Sequence, residues 1–338
     1  MSAGVALRAG ERRIWLKWHQ LRRAAGDPAH DRANLQLGIA RGASLEVDLV
    51  VTRDDHFVCL HDDQLASETT GEGLVQEHDR ATIERLRQRD AERRPLATRP
   101  LFLDEVVDTL AGAPAHWPGR LQLDLKPPPA PFEGAAIDRF AALVAPVAPH
   151  LMLGGARWPA VLRLGRAVPG LRLGFDPCDI HEVAPPAPFD AATVERFAAL
   201  TAPVAPYLML GGARWPAVLR LGRALPRLRL GFDPCDIHEV APPASAAEFE
   251  ALGAYTLAHA REAAIFYFHI PMLLRGLELG VDLIATAKAR GAEVDAWRLE
   301  PGDDLAGATL ARLVEAGVDQ ITTDSPEALE QLWQTRQA

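Results

Sequence analysis

Residues 139–175 decide the fold, and they read RFAALVAPVAPHLMLGGARWPAVLRLGRAVPGLRLGF. The apolar spacing of RFAALVAP predicts a helix that runs toward Pro146 and Pro149, and HLMLGG predicts a short strand. WPAVLRLGRAVP has the spacing of a second helix, and LRLGF that of a second strand. Two successive pairs of this kind indicate a parallel sheet whose strands are connected by helices.

The same segment lies within an internal duplication. Residues 139–187 recur as residues 196–244, displaced by 57 positions. The two copies differ only at Val144/Thr201, His150/Tyr207, Val168/Leu225 and Gly170/Arg227. Two copies are fewer than a stacked repeat array needs to bury its faces, so the duplication does not indicate a solenoid. It indicates one extra pair of strand-helix units.

Six further strands are predicted outside the duplication, mostly with helix-patterned segments between them. They are Trp15–His19, Leu45–Thr52, Leu121–Lys126, Ile265–His269, Val294–Leu299 and Gln320–Thr323. With the two strands of one copy they make about eight, the number in a (β/α)8 TIM-type barrel, which is the fold class that we expect. We expect one copy to be displaced from the ring, because roughly ten strands would need a wider barrel. Which copy is displaced stays open.

The chain length agrees with one domain. Subtracting the duplicated length from the full chain gives 338 − 57 = 281 residues. This is an ordinary size for one barrel with a modest extension. We therefore expect residues 1–338 to form a single barrel domain that contains the duplicated segment.

Polar side chains alternate with apolar ones on three of the predicted strands. Because side chains on a strand alternate between its faces, residues at i and i+2 point the same way. The apolar faces suit packing under helices, so the polar faces are expected to point into the barrel. The polar sets are Lys17 with His19, Glu46 with Asp48, and Gln122 with Asp124 and Lys126.

The converging carboxylates predict a cation. Carboxylates in a protein interior repel each other unless a cation joins them. A hard divalent ion such as Mg²⁺ or Ca²⁺ fits an all-carboxylate set better than Zn²⁺, which prefers nitrogen and sulfur. The alternative is that one carboxylate pairs with Lys126 or a neighbouring arginine. Spacing alone leaves both interpretations open.

His61 follows the strand that carries Glu46 and Asp48, after a turn and a predicted return strand. The stretch VTRDDHFVCLHDD, residues 51–63, predicts a strand, a turn and a return strand that ends at His61. His61 would then lie close to the carboxylate pair. Taken alone it would more simply be a surface residue. With His19 beside a metal-held phosphate, the two imidazoles could act as general base and general acid.

At these residues the chain resembles the glycerophosphodiester phosphodiesterase family, whose members are β/α barrels. The most specific stretch is LEVDLVVTRDDHFVCLHDDQLASETTGEG, residues 45–73. LQLDLKP at residues 121–127 also carries the resemblance, as do GAEVDAWRLEP and LARLVEAGVDQITTDSP within residues 291–326. The resemblance extends from about Trp15 to Pro326 and so covers nearly the whole chain.

The resemblance implies a site and a reaction. The reaction is metal-dependent hydrolysis of a small glycerophosphodiester to glycerol 3-phosphate and an alcohol, a step of lipid metabolism. The cation would polarise the phosphoryl oxygens and lower the pKa of the attacking hydroxyl. The implied roles are metal binding by Glu46, Asp48 and Asp124, acid/base catalysis by His19 and His61, phosphate contact by Lys126, and a wall of the substrate pocket by Trp297.

The chain departs from the family pattern at several of these places. His19-Gln20-Leu21 stands where the family has His-Arg-Gly, so the arginine that would bind the phosphate is absent, and Arg22 or Arg23 from the following loop is the expected substitute, Arg22 first. Asp124 stands where many members have Glu. Pro28-Ala29-His30-Asp31 aligns with Pro-Glu-Asn-Thr, and Trp297-Arg298-Leu299-Glu300 keeps only the Trp of Trp-Thr-Val-Asn.

Other interpretations stay open beside this one. The Asp-x-Lys pair at Asp124 and Lys126 is compatible with a related, phospholipase D-like phosphodiesterase that acts on lysophospholipids. A non-catalytic barrel that binds a phosphate ligand is the interpretation that follows if turnover was lost with the arginine. A structural zinc site is a further interpretation, with its sulfur and nitrogen ligands from Cys178, His181, Cys235 and His238.

Composition limits the partners. Against 36 Lys and Arg the chain has 45 Asp and Glu, a net charge of −9, which argues against a nucleic-acid coat. Three cysteines, no apolar signal segment and no spanning stretch predict a cytoplasmic protein without a transmembrane segment. A homo-oligomer stays open. The arginines within residues 85–94 alternate with acids and predict a solvated helical face.

Overall fold

The computed structural model describes residues 3–90, 92–114, 117–126, 132–155, 158–176, 209–210, 229–230 and 245–337. Eight parallel strands form a closed ring in the order β2-β3-β5-β6-β7-β10-β11-β12, and β12 returns to β2. In chain order the strands are β1 (Ala6–Ala9), β2 (Arg12–Trp18), β3 (Ser44–Val51), β4 (Phe57–Val58), β5 (Leu121–Leu125), β6 (Leu151–Gly155), β7 (Arg172–Phe175), β8 (Met209–Leu210), β9 (Arg229–Leu230), β10 (Ile265–His269), β11 (Glu293–Trp297) and β12 (Gln320–Thr323). The expected (β/α)8 barrel is confirmed.

The ring takes its fourth and fifth strands, β6 and β7, from the first copy of the duplication. The second copy contributes β8 and β9, which form a separate two-stranded parallel sheet. Met209 pairs with Arg229 in that sheet, just as Met152 pairs with Arg172 in the ring. The two copies therefore pair their strands in the same register, one inside the ring and one outside it.

The sequence differences between the copies favour the first copy in the ring. Val144 is fully buried, and its counterpart in the second copy is Thr201, whose hydroxyl would be costly to bury without a partner. Gly170 has φ +84°, in the left-handed region that a glycine adopts without strain, and its counterpart is Arg227. Both substitutions would destabilise a segment that occupied the position of the first copy.

Helices follow most strands of the ring and pack over its outer, apolar face. Leu45, Val47 and Leu49 of β3 are fully buried in the main core. The helix after β6 buries Trp158, Val161 and Leu164, which lie on one side of it. The α-helices are Arg32–Arg41, Leu65–Glu68, Arg80–Ile83, Leu103–Ala111, Gly134–Val144, Trp158–Arg166, Ala246–His259, Ile270–Glu278, Leu283–Lys288, Ala306–Ala316 and Pro326–Gln337, with 3-10 turns at His19–Leu21, Val75–Glu77 and Ala145–His150. None of the described helices is long and apolar enough to cross a membrane.

A polar layer fills the interior of the ring below its carboxyl end. Nζ of Lys17 lies 3.0 Å from Oδ2 of Asp295, and both side chains are almost fully buried. Thr322 Oγ1 donates to Oδ1 of Asp295 at 2.7 Å. The Lys17 ammonium also donates to Gln122 and lies 4.4 Å from the ring centroid of Tyr267. A buried ion pair with these additional partners connects five strands of the ring.

Between β4 and the helix Leu103–Ala111 the chain makes an excursion with its own small core, which includes Val58, Leu65 and Ile83. The prediction of a helical face for residues 85–94 is wrong. The helix Arg80–Ile83 ends first, and Arg89 then forms a bridge with Pro95. Gln88 N donates to Thr98 O at 2.9 Å and Arg89 N to Glu68 O at 2.7 Å, so these groups bond to distant chain and do not form helical hydrogen bonds.

Candidate active site

The three predicted metal ligands lie together. Glu46 and Asp48 project from β3 and Asp124 from β5, and Asp48 is the register partner of Asp124. One oxygen from each carboxylate lies within 4.8 Å of the others. Glu46 and Asp48 are buried, and Asp124 is partly exposed. The alternation of faces therefore brings the carboxylates of two neighbouring strands to one side of the ring interior.

The pKa values of Glu46 and Asp48 are shifted in opposite directions. Burial raises the pKa of Glu46 well above its usual range, and the neighbouring charges of Asp48 and Asp124 raise it further. Burial would also raise the pKa of Asp48, but the cations around it, Lys126 first, hold it well below its usual range. Asp48 therefore stays ionised, while the ionisation of Glu46 beside it is unfavourable. A cation bound between them would stabilise both negative charges.

Lys126 is the cation nearest to this set. Its Nζ lies 2.7 Å from Oδ1 of Asp48 and 2.8 Å from Oδ2 of Asp124. Burial alone would lower the pKa of Lys126, but Asp124, Asp48 and Glu46 together raise it well above its ordinary value. Both interpretations of the sequence therefore have support here, because Lys126 pairs with the same carboxylates that would hold a metal.

The donor set fits a hard divalent cation. Three carboxylates supply oxygen ligands of the kind that Mg²⁺ and Ca²⁺ prefer. Oδ1 of Asp48 is buried and accepts no well-oriented hydrogen bond from the described residues, despite the nearby ammonium of Lys126. Gln122 donates to Oδ1 of Asp124 at 3.3 Å and so helps to orient that ligand.

Two residues that the sequence reasoning did not assign to the site hold the other oxygen of Asp48. Gln20 Nε2 donates to Oδ2 of Asp48 at 2.9 Å, and Gln20 N donates to Glu46 at 2.6 Å. Nε2 of His30, a fully buried imidazole, lies 3.3 Å from the same oxygen of Asp48. The residue at the position of the missing arginine therefore donates to a predicted metal ligand. The departure of Gln20 from the family pattern was the signal that could have found it.

His19 lies at the end of β2 and is held by a carboxylate. Its Nδ1 is 2.6 Å from Oδ1 of Asp324, which follows β12. Burial lowers the pKa of His19 below its ordinary value, although Asp324 acts in the opposite direction. Arg22 Nη1 donates to Oδ2 of the same aspartate at 3.3 Å, so Arg22 and His19 share one partner. Asp324 was not predicted, because nothing in the sequence relates it to β2.

His61 lies on a different loop from His19, in the segment that follows β4. Its backbone N donates to Glu68 at 2.7 Å, and its Nδ1 is 2.9 Å from Oδ1 of Asp62. The charge of Asp48 raises the pKa of His61 above its ordinary value, although burial and Lys126 oppose this shift. His61 is thus electrostatically coupled to the carboxylate set, as the hairpin prediction required.

Trp297 ends β11, on the side of the ring across from β3. Its ring centroid lies 4.8 Å from that of His269, which ends β10. Its Nε1 is buried without a hydrogen-bond partner among the described residues. The proposed zinc ligands Cys178, His181, Cys235 and His238 lie outside the described residues.

Comparisons with known proteins agree with this geometry. Residues 33–140, which include β3, the excursion and β5, match the sequence model of the glycerophosphoryl diester phosphodiesterase family. The matched residues make up about a third of the chain and include both strands that carry the candidate site. A curated relative, the probable glycerophosphodiester phosphodiesterase 1 of Mycobacterium tuberculosis, is 43% identical over 53 residues. That match spans 15% of this chain and 19% of the relative, about a fifth of its length.

Solved structures of family members share the barrel. A putative member from Silicibacter pomeroyi has a TM-score of 0.58 and 19% identity, covering 98% of this chain and 97% of that one. An Oleispira antarctica phosphodiesterase, solved with the product sn-glycerol-3-phosphate, has a TM-score of 0.53 and 17% identity, covering 94% and 95%. At this identity the likeness concerns the fold.

Proposed function

We propose that the protein is a metal-dependent phosphodiesterase that hydrolyses small glycerophosphodiesters to glycerol 3-phosphate and an alcohol. The observation that supports this most is the group of Glu46, Asp48 and Asp124, with His19 after β2 and His61 after β4, at the carboxyl end of a barrel whose strands β3 and β5 match this family. Barrel enzymes place their chemistry at this end. Glycerol 3-phosphate is the product bound by the Oleispira antarctica phosphodiesterase.

Glu46, Asp48 and Asp124 would hold one Mg²⁺ or Ca²⁺ ion. When bound, the ion supplies positive charge to the phosphoryl oxygens and lowers the pKa of an attacking hydroxyl. Lys126, 2.7 Å from Asp48, would add a second positive charge on the same side. Arg22, held by Asp324, would contact the phosphate from the loop after β2 and so substitute for the missing arginine.

His19 is the proposed general base. Its Nδ1 is 2.6 Å from Asp324, which favours the tautomer with the proton on Nδ1 and leaves Nε2 as the acceptor. Its lowered pKa keeps the ring neutral at neutral pH, as a base must be. It would remove the proton of the attacking hydroxyl, which comes from water or from the 2-hydroxyl of the substrate.

His61 is the proposed general acid. Its pKa is raised, chiefly by Asp48, which favours the protonated ring that an acid requires. Because His61 and His19 lie on different loops, one can serve the attacking hydroxyl and the other the leaving alkoxide. Trp297 would form an apolar wall for the glycerol part. The free, buried thiol of Cys59 accords with a reducing compartment, so we propose that the reaction takes place in the cytoplasm.

The test is release of glycerol 3-phosphate from glycerophosphocholine and glycerophosphoethanolamine with Mg²⁺ or Ca²⁺. We expect turnover that requires the ion and is abolished in a double His19→Ala, His61→Ala variant. Full activity in that variant would refute the mechanism. Release of headgroup from lysophospholipids alone would favour the phospholipase D-like alternative. Metal binding without turnover on any diester would favour a non-catalytic barrel, the interpretation that the Gln20 substitution supports.

A further inference from the structure

A polar groove of about 270 Å³ adjoins the candidate active site. It lies between the loop after β2 and the excursion, and its wall includes both Gln20 and His61. Gln20 donates to the metal ligand Asp48 at 2.9 Å, so the groove and the metal site share a wall. The volume is just below the roughly 300–1,000 Å³ of typical ligand pockets, which suits a small polar group.

The carboxylates of this groove are already engaged by local donors. Oδ2 of Asp27 accepts from two backbone N–H groups and from Asn34. Oε1 of Glu68 accepts from the backbone N–H groups of His61 and Asp62. In the same wall Asp62 pairs with His61, and Asp90 is bonded by Arg94 at 2.7 Å. One oxygen of Asp27, one of Glu68 and both of Asp90 are therefore already engaged within the protein.

Two guanidinium groups in the same wall have no carboxylate partner among the described residues. Arg89 donates Nε to Thr69 O at 2.7 Å and Nη1 to Arg93 O at 2.6 Å, which fixes its plane and leaves its other N–H groups unused. Arg93 has φ +62°, and in the described part of the chain its side chain forms neither a hydrogen bond nor an ion pair. Uncommitted guanidinium groups are the preferred ligands of carboxylate and phosphate.

We infer that this groove receives the leaving alcohol and that Arg89 and Arg93 recognise an anionic group on it, a carboxylate or a phosphate. The inference rests on the proposed function and names a substrate class within it. His61, the proposed general acid, lines the groove, so an alcohol bound there would meet the residue that protonates the departing oxygen. Arg22 also lines the groove but is paired with Asp324, so it is assigned to the scissile phosphate and not to the leaving group.

The test uses substrate pairs that differ by one anionic group. Glycerophosphoserine differs from glycerophosphoethanolamine by a carboxylate, and glycerophosphoglycerol with a terminal phosphate differs from glycerophosphoglycerol by a phosphate. We expect kcat/KM to favour the anionic member of at least one pair by about tenfold or more. The pair that shows the preference identifies the anion as carboxylate or phosphate.

Arg93→Gln is the primary variant, because its side chain contributes no contact to the described fold. We expect it to lower the preference severalfold, and Arg89→Gln with Arg93→Gln to bring it close to one. Arg85→Gln is the matched control, since Arg85 lies in the same excursion, donates to Thr82 and does not line the groove, so the preference should stay intact. Equal rates within both pairs, a preference for glycerophosphocholine, or a preference that persists without Arg89 and Arg93 would overturn the inference.

If no diester is hydrolysed, the proposed function is wrong, but recognition of an anion by the groove can still be tested by binding. Calorimetric titration of the same substrate pairs in Mg²⁺ then measures binding directly. Tighter binding of the anionic member, lost in Arg93→Gln, would uphold the recognition of an anion in the groove. Equal binding of both members would refute it.

Discussion

A double substitution in the first copy, Val144→Thr with Gly170→Arg, tests why this copy occupies the ring. It gives the first copy two residues of the second, Thr201 and Arg227. Val144 is fully buried in the core, and a buried hydroxyl without a partner costs about 1–3 kcal/mol. Gly170 has φ +84° and nothing within 4 Å of an added Cβ, so Gly170→Arg costs only the roughly 1–2 kcal/mol of left-handed backbone.

The two contributions add to about 2–5 kcal/mol, because the sites are distinct and have different causes. We expect urea unfolding, followed by far-UV circular dichroism, to show a loss of this size. Hydrogen exchange with mass spectrometry separates the copies, since His150 and Tyr207 mark their strand peptides. We expect one of two results. Either the protein loses stability and the β6 peptide stays protected from exchange, or the protection moves from the β6 peptide to the β8 peptide because the second copy replaces the first.

The reciprocal variant, Thr201→Val with Arg227→Gly, is the matched control. It changes the second copy only, so the ring that β6 and β7 complete should keep its stability within about 0.5 kcal/mol. Unchanged unfolding and unchanged exchange of β6 in the first-copy variant would refute the reasoning. The difference between the copies would then have a cause other than these residues.

Three further predictions concern the interior of the ring and the site. Lys17→Met leaves the fully buried Asp295 without its cation, and we expect a loss of about 3–5 kcal/mol in urea unfolding, partly recovered by adding Asp295→Asn. Asp324→Asn should lower kcat by about ten- to a hundredfold, within the ~10²–10⁴-fold that acid/base catalysis contributes. Because Asp324 raises the pKa of His19, its loss should also move the acid limb of the pH–rate profile to lower pH, and a limb that stays or moves upward would contradict the assignment of the base. Asp48→Asn should weaken Mg²⁺ binding in calorimetry by about a hundredfold or more, and unchanged affinity would place the metal elsewhere.

The strands of the ring were predictable because periodicity is a local signal. Ile265–His269 and Gln320–Thr323 were predicted with the observed bounds, and the other strands shifted by a few residues at their ends. Alternation of faces also predicted that Glu46, Asp48 and Asp124 would meet. Eight strands, rather than ten, followed from the packing of a barrel interior.

The rest of the site depends on contacts between distant parts of the chain. Asp324 meets His19 across 305 positions, and no local pattern specifies that hydrogen bond. Gln20 was recognised as a departure, but its hydrogen bond to Asp48 follows from a left-handed backbone at φ 51° that periodicity does not predict. The arginines within residues 85–94 have a helical charge pattern, yet hydrogen bonds to the facing chain override it.

The paired strands β8 and β9 show that the junction between β7 and β10 is permissive to added chain. The ring still pairs Gly174 with Ile265 and Phe175 with Phe266, although the duplication lengthens the chain between these strands by 57 residues. The carboxylate strands β3 and β5 are sequentially remote from this junction. A protein engineer could therefore use this junction as an insertion point, replacing the second copy with a reporter or a second enzyme while leaving the candidate site on β3 and β5 unchanged.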